Sequence, residues 1–182
     1  MALRQIVQYP ARVLKERAAP IENIGAEVVR LVEDMAETMY AAPGVGLAAP
    51  QIGVGQRVIV LDIRRDDEEP GKRLLKLINP EITESDGEIV WEEGCLSVPE
   101  FTVPVKRARR ILVIAWGPDE RPVQVEAEEL LAVALQHEID HLDGTLILDR
   151  VSRLKRDLYR ARQRKLERQG RKSTSGRKPL II

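Results

Sequence analysis

The chain has 182 residues, of which 43% are hydrophobic and only 3% aromatic, with 29 basic and 29 acidic side chains. That length suits one domain, the core has to come from Leu, Ile, Val and Ala, and a single cysteine excludes a disulfide within the chain. No apolar run approaches the ~20 residues of a membrane span, and no charged start followed by an apolar stretch and a cleavage site appears, so one free thiol points to a reducing cytosol.

Val28, Leu31, Val32, Met35 and Met39 recur at helical spacing, which predicts an amphipathic helix from about Gly25 to Tyr40. Gly44–Gln51 is a run of small residues and reads as a loop that lets backbone approach a ligand closely. It lacks the Lys-Ser/Thr pair and helix start of a phosphate loop, so an extended peptide is the better ligand. Strands are predicted at Arg57–Ile63, Leu74–Ile82, Glu88–Glu92, Val103–Val105, Arg110–Trp116 and Pro122–Val125. The charged, turn-forming run Arg64–Gly71 reads as an exposed loop.

A second helix follows, with Glu126, Glu128 and Glu129 placed in its first turn, where the helix dipole favours acid. Leu130, Ala134, His137 and His141 share one stripe of it, and Asp143-Gly144 supplies the stop. A third helix is predicted over Val151–Gln169, with a disordered basic tail over 170–182. The fold class is therefore α+β. Mixed or antiparallel strands pack around a central helix, with a C-terminal helix closing a single domain of residues 1–169.

Residues 151–182 hold 12 Lys/Arg and 2 Asp/Glu, a net of +10, while residues 1–150 hold 17 and 27, a net of −10. Such asymmetry suggests an acidic partner for the C-terminal segment. The bland alternative is a solvated basic helix. On that helix Arg153, Arg156, Arg160, Arg164 and Arg168 fall roughly on one face.

The chain's only two histidines, His137 and His141, lie four apart in His137-Glu138-Ile139-Asp140-His141. On a helix both imidazoles point the same way and Glu138 flanks them, the arrangement of a hydrolytic metal site with a general base. Catalytic sites usually take three protein ligands. No third histidine exists, and the downstream acids are Asp143 and Asp149. The alternative is Cys95. A lone cysteine is more often a small buried hydrophobe, but Gly94 before it and Ser97-Val98-Pro99 after it read as a turn beside a strand.

Three segments in this order, Gly44–Gln51 (G-x-G-x-A-A-x-Q), Glu93–Ser97 (E-G-C-L-S) and His137–His141 (H-E-x-D-H), resemble the three signature motifs of the bacterial peptide deformylases. Tyr9-Pro10 and Ala19-Pro20-Ile21 also resemble that family's N-terminus, so the likeness covers about residues 3 to 155. It implies a hydrolase that removes the N-formyl group from the initiator methionine of nascent polypeptides. Cys95, His137 and His141 would be the metal ligands and Glu138 the proton carrier. Gln51 and the Leu96 backbone N–H would meet the oxyanion. The Gly46 backbone would hold the peptide. Val45, Leu130, Val133 and Ala134 are placed to line a methionine pocket, with plain core packing as the alternative. Glu93 and Arg107 would pair to support the Cys95 turn.

Cys-His-His donors suit zinc, iron, cobalt or nickel, and the resemblance favours ferrous iron. It also makes the ribosome a partner for the basic C-terminal segment. Two rivals are a zinc peptidase, which shares H-E-x-x-H, and a non-enzymatic ribosome-binding protein with a structural metal. The second would need a fourth protein ligand to close the site.

Overall fold

The computed structural model describes residues 2–63 and 71–168. Most of the loop expected at 64–71, and the tail from 170 to 182, lie outside them. The helices are α1 (Ala26–Ala41), α2 (Glu129–Leu142) and α3 (Arg153–Arg168). The strands are β1 (Gly46–Ala48), β2 (Val58–Leu61), β3 (Leu75–Asp86), β4 (Ile89–Cys95), β5 (Val98–Arg107), β6 (Arg110–Trp116) and β7 (Pro122–Glu128). Five strands form one antiparallel sheet in the order β1-β2-β3-β6-β7, and β4 and β5 form a separate hairpin.

The apolar run Val58-Ile59-Val60-Leu61 explains the centre of the molecule. A strand alternates its side chains between two faces, and here both faces are covered. Val58 and Val60 meet Val28, Leu31, Val32, Met35 and Met39 of α1. Ile59 joins Leu77, Ile111 and Val113 against Ala132, Leu135, Ile139 and Leu142 of α2. The apolar stripe of α1 falls where the sequence predicts. Helix α2 is covered by the sheet on one side and the hairpin on another, which makes it the central helix of the α+β fold. It ends at Gly144, whose φ of +70° favours glycine, and a Cβ there would lie 2.7 Å from the Lys15 carbonyl oxygen.

Several expectations change. Gly46–Ala48 is a strand paired with Ile59–Leu61, and Ala49–Ile52 is a 3-10 turn, so Gly44–Gln51 is not simply a loop. Strand β5 runs ten residues where only Val103–Val105 was expected. Pro99 and Pro104 mask it, since proline argues against a strand. A two-stranded ribbon leaves each strand one free edge, where a missing N–H does no harm. Strand β4 likewise runs on to Cys95, and β3 runs on to Asp86. Glu126 and Glu128 belong to β7 rather than to a first helical turn, because they continue the ladder opposite Leu112 and Arg110.

Candidate metal centre

The hairpin and α2 bring distant residues together. Cys95 ends β4, paired with Val98, and its Sγ lies 3.3 Å from His141 Nε2. His137 and His141, one turn apart on α2, have ring centroids 5.0 Å apart. One ligand-type atom from each of Cys95, His137 and His141 lies within 4.8 Å of the others, and all three residues are buried. His137 Nε2 and His141 Nδ1 have no hydrogen-bond partner among the described residues. Unpartnered buried nitrogens are costly, and a soft thiol beside two imidazoles is a donor set that suits a divalent transition metal. The residues fit such an ion.

His137 Nδ1 lies 2.8 Å from Glu93 Oε2 and donates to it, which turns Nε2 toward the cluster. Glu93 also accepts a fork from Arg107, Nε to Oε1 at 2.7 Å and Nη2 to Oε2 at 2.9 Å. Glu93 and Arg107 are therefore paired, and through Glu93 the pair touches His137. Burial alone would raise the Glu93 carboxyl. The bonds from Arg107 and His137 outweigh it and hold the group down at about 2.

Glu138 has no exposed surface, and neither carboxylate oxygen has a partner among the described residues. Burial, reinforced by the charge of Glu93 and partly offset by Arg107, pushes its pKa well above the usual carboxylate range. Burial, with the nearby His137 and Arg107, holds His141 well below the ordinary histidine value, so its imidazole is neutral. Burial likewise drives the Cys95 thiol up to about 12, against backbone N–H groups of Ser97 and Val98 that pull it down. A cation beside the sulfur would reverse that balance.

Gln51 is fully buried. Its Oε1 accepts from the Ala48 N–H at 2.8 Å, which fixes the amide so that Nε2 points to Cys95 Sγ, 3.7 Å away. Leu96 follows Cys95 in the hairpin turn, with its side chain against Gly44. Gly46 sits on β1 beside Glu138. The four residues expected to line a methionine pocket fall in one apolar cluster. Val133 and Ala134 are wholly buried with Leu61, while Val45 and Leu130 are only partly covered. Ile89 and Trp91 of the hairpin join them, and nothing in the local sequence marked these two.

The downstream acids are turned away from the cluster. Asp143 Oδ1 is held by Arg57 at 2.8 Å, and Asp149 Oδ2 by Lys15 at 2.5 Å and the Leu146 N–H at 2.9 Å. Neither acid is among the residues whose ligand atoms converge with the two histidines.

A family model described as Polypeptide deformylase matches residues 3–157. A peptide deformylase of Syntrophobacter fumaroxidans is 49% identical over 165 residues, 91% of this chain and 96% of that protein. The crystal structure of a peptide deformylase from Legionella pneumophila superposes with a TM-score of 0.84 at 44% identity, covering 94% of this chain and 100% of that one. The peptide deformylase of Ehrlichia chaffeensis, in complex with actinonin, superposes with a TM-score of 0.86 at 36% identity over 92% and 99% of the two chains. With sequence and architecture matched over nearly its whole described length, this chain belongs to the polypeptide deformylase family.

Proposed function

We propose that this chain is a metal-dependent amide hydrolase that removes the N-formyl group from the initiator formyl-methionine of nascent polypeptides, releasing formate and a free amine. The observation that carries the reading is the convergence of Cys95, His137 and His141 beside the buried, unpartnered carboxylate of Glu138. Cys95 Sγ and the two imidazoles would hold one divalent ion, whose Lewis acidity would polarise the formyl carbonyl and bring the pKa of water toward about 7.

The chain's own residues account for the remaining steps. Glu138 accepts the proton of the attacking water as its oxygen bonds to the formyl carbon. It then delivers that proton to the amine nitrogen as the C–N bond breaks. Burial and the charge of Glu93 raise the Glu138 pKa, which strengthens the carboxylate as an acceptor for the proton of water. Gln51 Nε2 and the Leu96 N–H donate to the oxyanion. Strand β1 ends the sheet order, so among the described residues one of its edges has no neighbouring strand. The Gly46 backbone on it is suited to receive the peptide as an added strand. Val45 and Leu130 would receive the methionine side chain, with Ile89 and Trp91 opposite and Val133 and Ala134 as the floor.

Residues 1–169 would act as one catalytic unit in the cytosol. Ferrous iron is the proposed metal, with zinc, nickel or cobalt as substitutes, because a thiolate with two imidazoles suits all four. The ribosome is a proposed partner through α3. Among its described side chains, Arg153, Lys155, Arg162, Arg164 and Lys165 face solvent. Arg156 and Arg160 turn partly inward, and Arg160 Nε bonds Tyr9 Oη at 2.9 Å, so the arginine stripe expected from spacing is split. Formate release from a formyl-Met dipeptide, by protein purified without air and loaded with Fe²⁺, tests the activity. No release above the metal-free protein would overturn it.

A further inference from the structure

The geometry points to Arg150 as a positioning residue for His137, acting through a chain of charge-assisted hydrogen bonds that runs from the surface to the imidazole Nδ1. The inference rests on the reading of Cys95, His137 and His141 as metal ligands.

Arg150 follows the 3-10 turn Ile147–Asp149 and precedes α3. Its Nε donates to Asp140 Oδ2 at 3.0 Å and its Nη2 to Asp140 Oδ1. From the other side, Arg107 Nη1 donates to Asp140 Oδ2 at 2.5 Å. The remaining edge of Arg107 forks onto Glu93, and Glu93 accepts from His137. Asp140 and His137 share α2, yet the hydrogen bonds that link them run through Arg107 and Glu93 on the hairpin. Exposure falls inward along the chain: side chains are 43% exposed at Arg150, 14% at Asp140, 2% at Arg107 and nil at Glu93.

Each link fixes the next. A ligating imidazole turns about its ring bond unless its second nitrogen is held. Glu93 holds it, and the planar fork of Arg107 sets the Glu93 plane. Arg107 is in turn set by Asp140, which Arg150 grips through both oxygens. Without Arg150, one guanidinium has to serve two carboxylates, and Asp140 is free to swing with Arg107 following. A partly exposed pair such as Arg150–Asp140 contributes little to global stability, so a positioning role separates from a structural one.

The experiment measures Zn²⁺ affinity by competition with a chromophoric chelator, the visible spectrum of the Co²⁺-loaded protein, and the melting temperature of the metal-free protein. The variants are Arg150→Ala, Asp140→Asn and the double variant, with His137→Ala as control. Loss of such supporting contacts typically weakens metal binding 10–100-fold. Arg150→Ala is expected to weaken Zn²⁺ about tenfold and alter the Co²⁺ bands with the melting temperature close to the parent's. Because Arg150 acts through Asp140, the double variant is expected to bind no worse than Asp140→Asn.

Parent-like affinity and spectrum in Arg150→Ala, while His137→Ala loses the metal, would overturn the relay alone. So would single losses that multiply in the double variant. If His137→Ala also kept full affinity, the ligand assignment itself would fail and the relay with it. Should Asp140→Asn not fold, Arg150→Lys replaces it: affinity between the parent and Arg150→Ala supports the relay, and affinity no better than Arg150→Ala overturns it.

Discussion

Gly46 leaves no room for a side chain beside Glu138: a Cβ on Gly46 would lie 2.4 Å from Oε1 and 2.9 Å from the carboxylate carbon. The two residues are on β1 and α2, far apart in sequence, and the absence of a side chain at 46 lets the carboxylate stand against the strand. Gly46→Ala is expected to fold, because the end of the Glu138 side chain can move. It should retain the metal and lose about 10²-fold in kcat/KM, since a displacement of about 1 Å costs that much. Steady-state formate release beside elemental analysis checks both halves.

Glu138→Gln keeps the shape of the side chain and removes its proton chemistry. Metal content should stay near one equivalent while turnover falls by about 10²–10⁴. Activity within about tenfold of the parent would remove Glu138 from the mechanism. The same variant has a stability signature. Glu138 titrates near 4.5 when unfolded and well above that when folded. Between those values the folded metal-free protein keeps a proton that the unfolded chain has lost, so stability falls as pH rises. Glu138→Gln abolishes that loss, and its metal-free form should melt above the parent by a margin that widens as pH rises above about 4.5.

Cys95 must give up a proton to bind a metal, and burial pushes its thiol up to about 12. His141, held well below the ordinary 6.5, is neutral at neutral pH and adds no proton competition there. Binding should therefore release at least one proton per metal, and affinity should rise by about tenfold per pH unit through neutrality. Calorimetry in buffers of different ionisation enthalpy counts the protons. Cys95→Ala should lose most bound metal; a full equivalent retained in that variant would revive the peptidase reading.

Gln51 Nε2 is held toward the cluster by the bond that its own Oε1 accepts from Ala48. Gln51→Ala should cost about 10²–10³ in kcat with KM little changed, the loss typical for one oxyanion donor. A change in KM alone would make Gln51 a ground-state contact instead.

Helix α3 and the segment beyond it carry the positive charge, and contacts between Lys/Arg and phosphate release counterions. Co-sedimentation of the full chain with ribosomes should fall steeply with added salt. Arg153→Glu with Arg164→Glu, both exposed, should weaken it while sparing cleavage of a small formyl peptide. Salt-independent binding would leave α3 as a solvated surface.

The sequence alone determined the features that depend on neighbours within a few residues. The i, i+4 histidines with Glu138 between them, the apolar stripe of α1 and the stop at Gly144 follow from helical periodicity, which is local and written in spacing. Placing Cys95 as the third ligand took motif resemblance, since no periodicity links residues 95 and 137. Only the tertiary structure decided the contacts that cross between elements. Among these are the Glu93–His137 bond, the grip of Arg107 and Arg150 on Asp140, and the fit of Gly46 against Glu138. Asp140 was visible inside the motif, but which arginines would reach it was not. The hairpin sets Arg107 there and the turn after Ile147–Asp149 sets Arg150, and the prolines of β5 hid the hairpin itself. Burial made the last distinction: Val133 and Ala134 share a stripe with Leu130 in sequence, yet β2 seals the first two into the core and leaves the third at the edge.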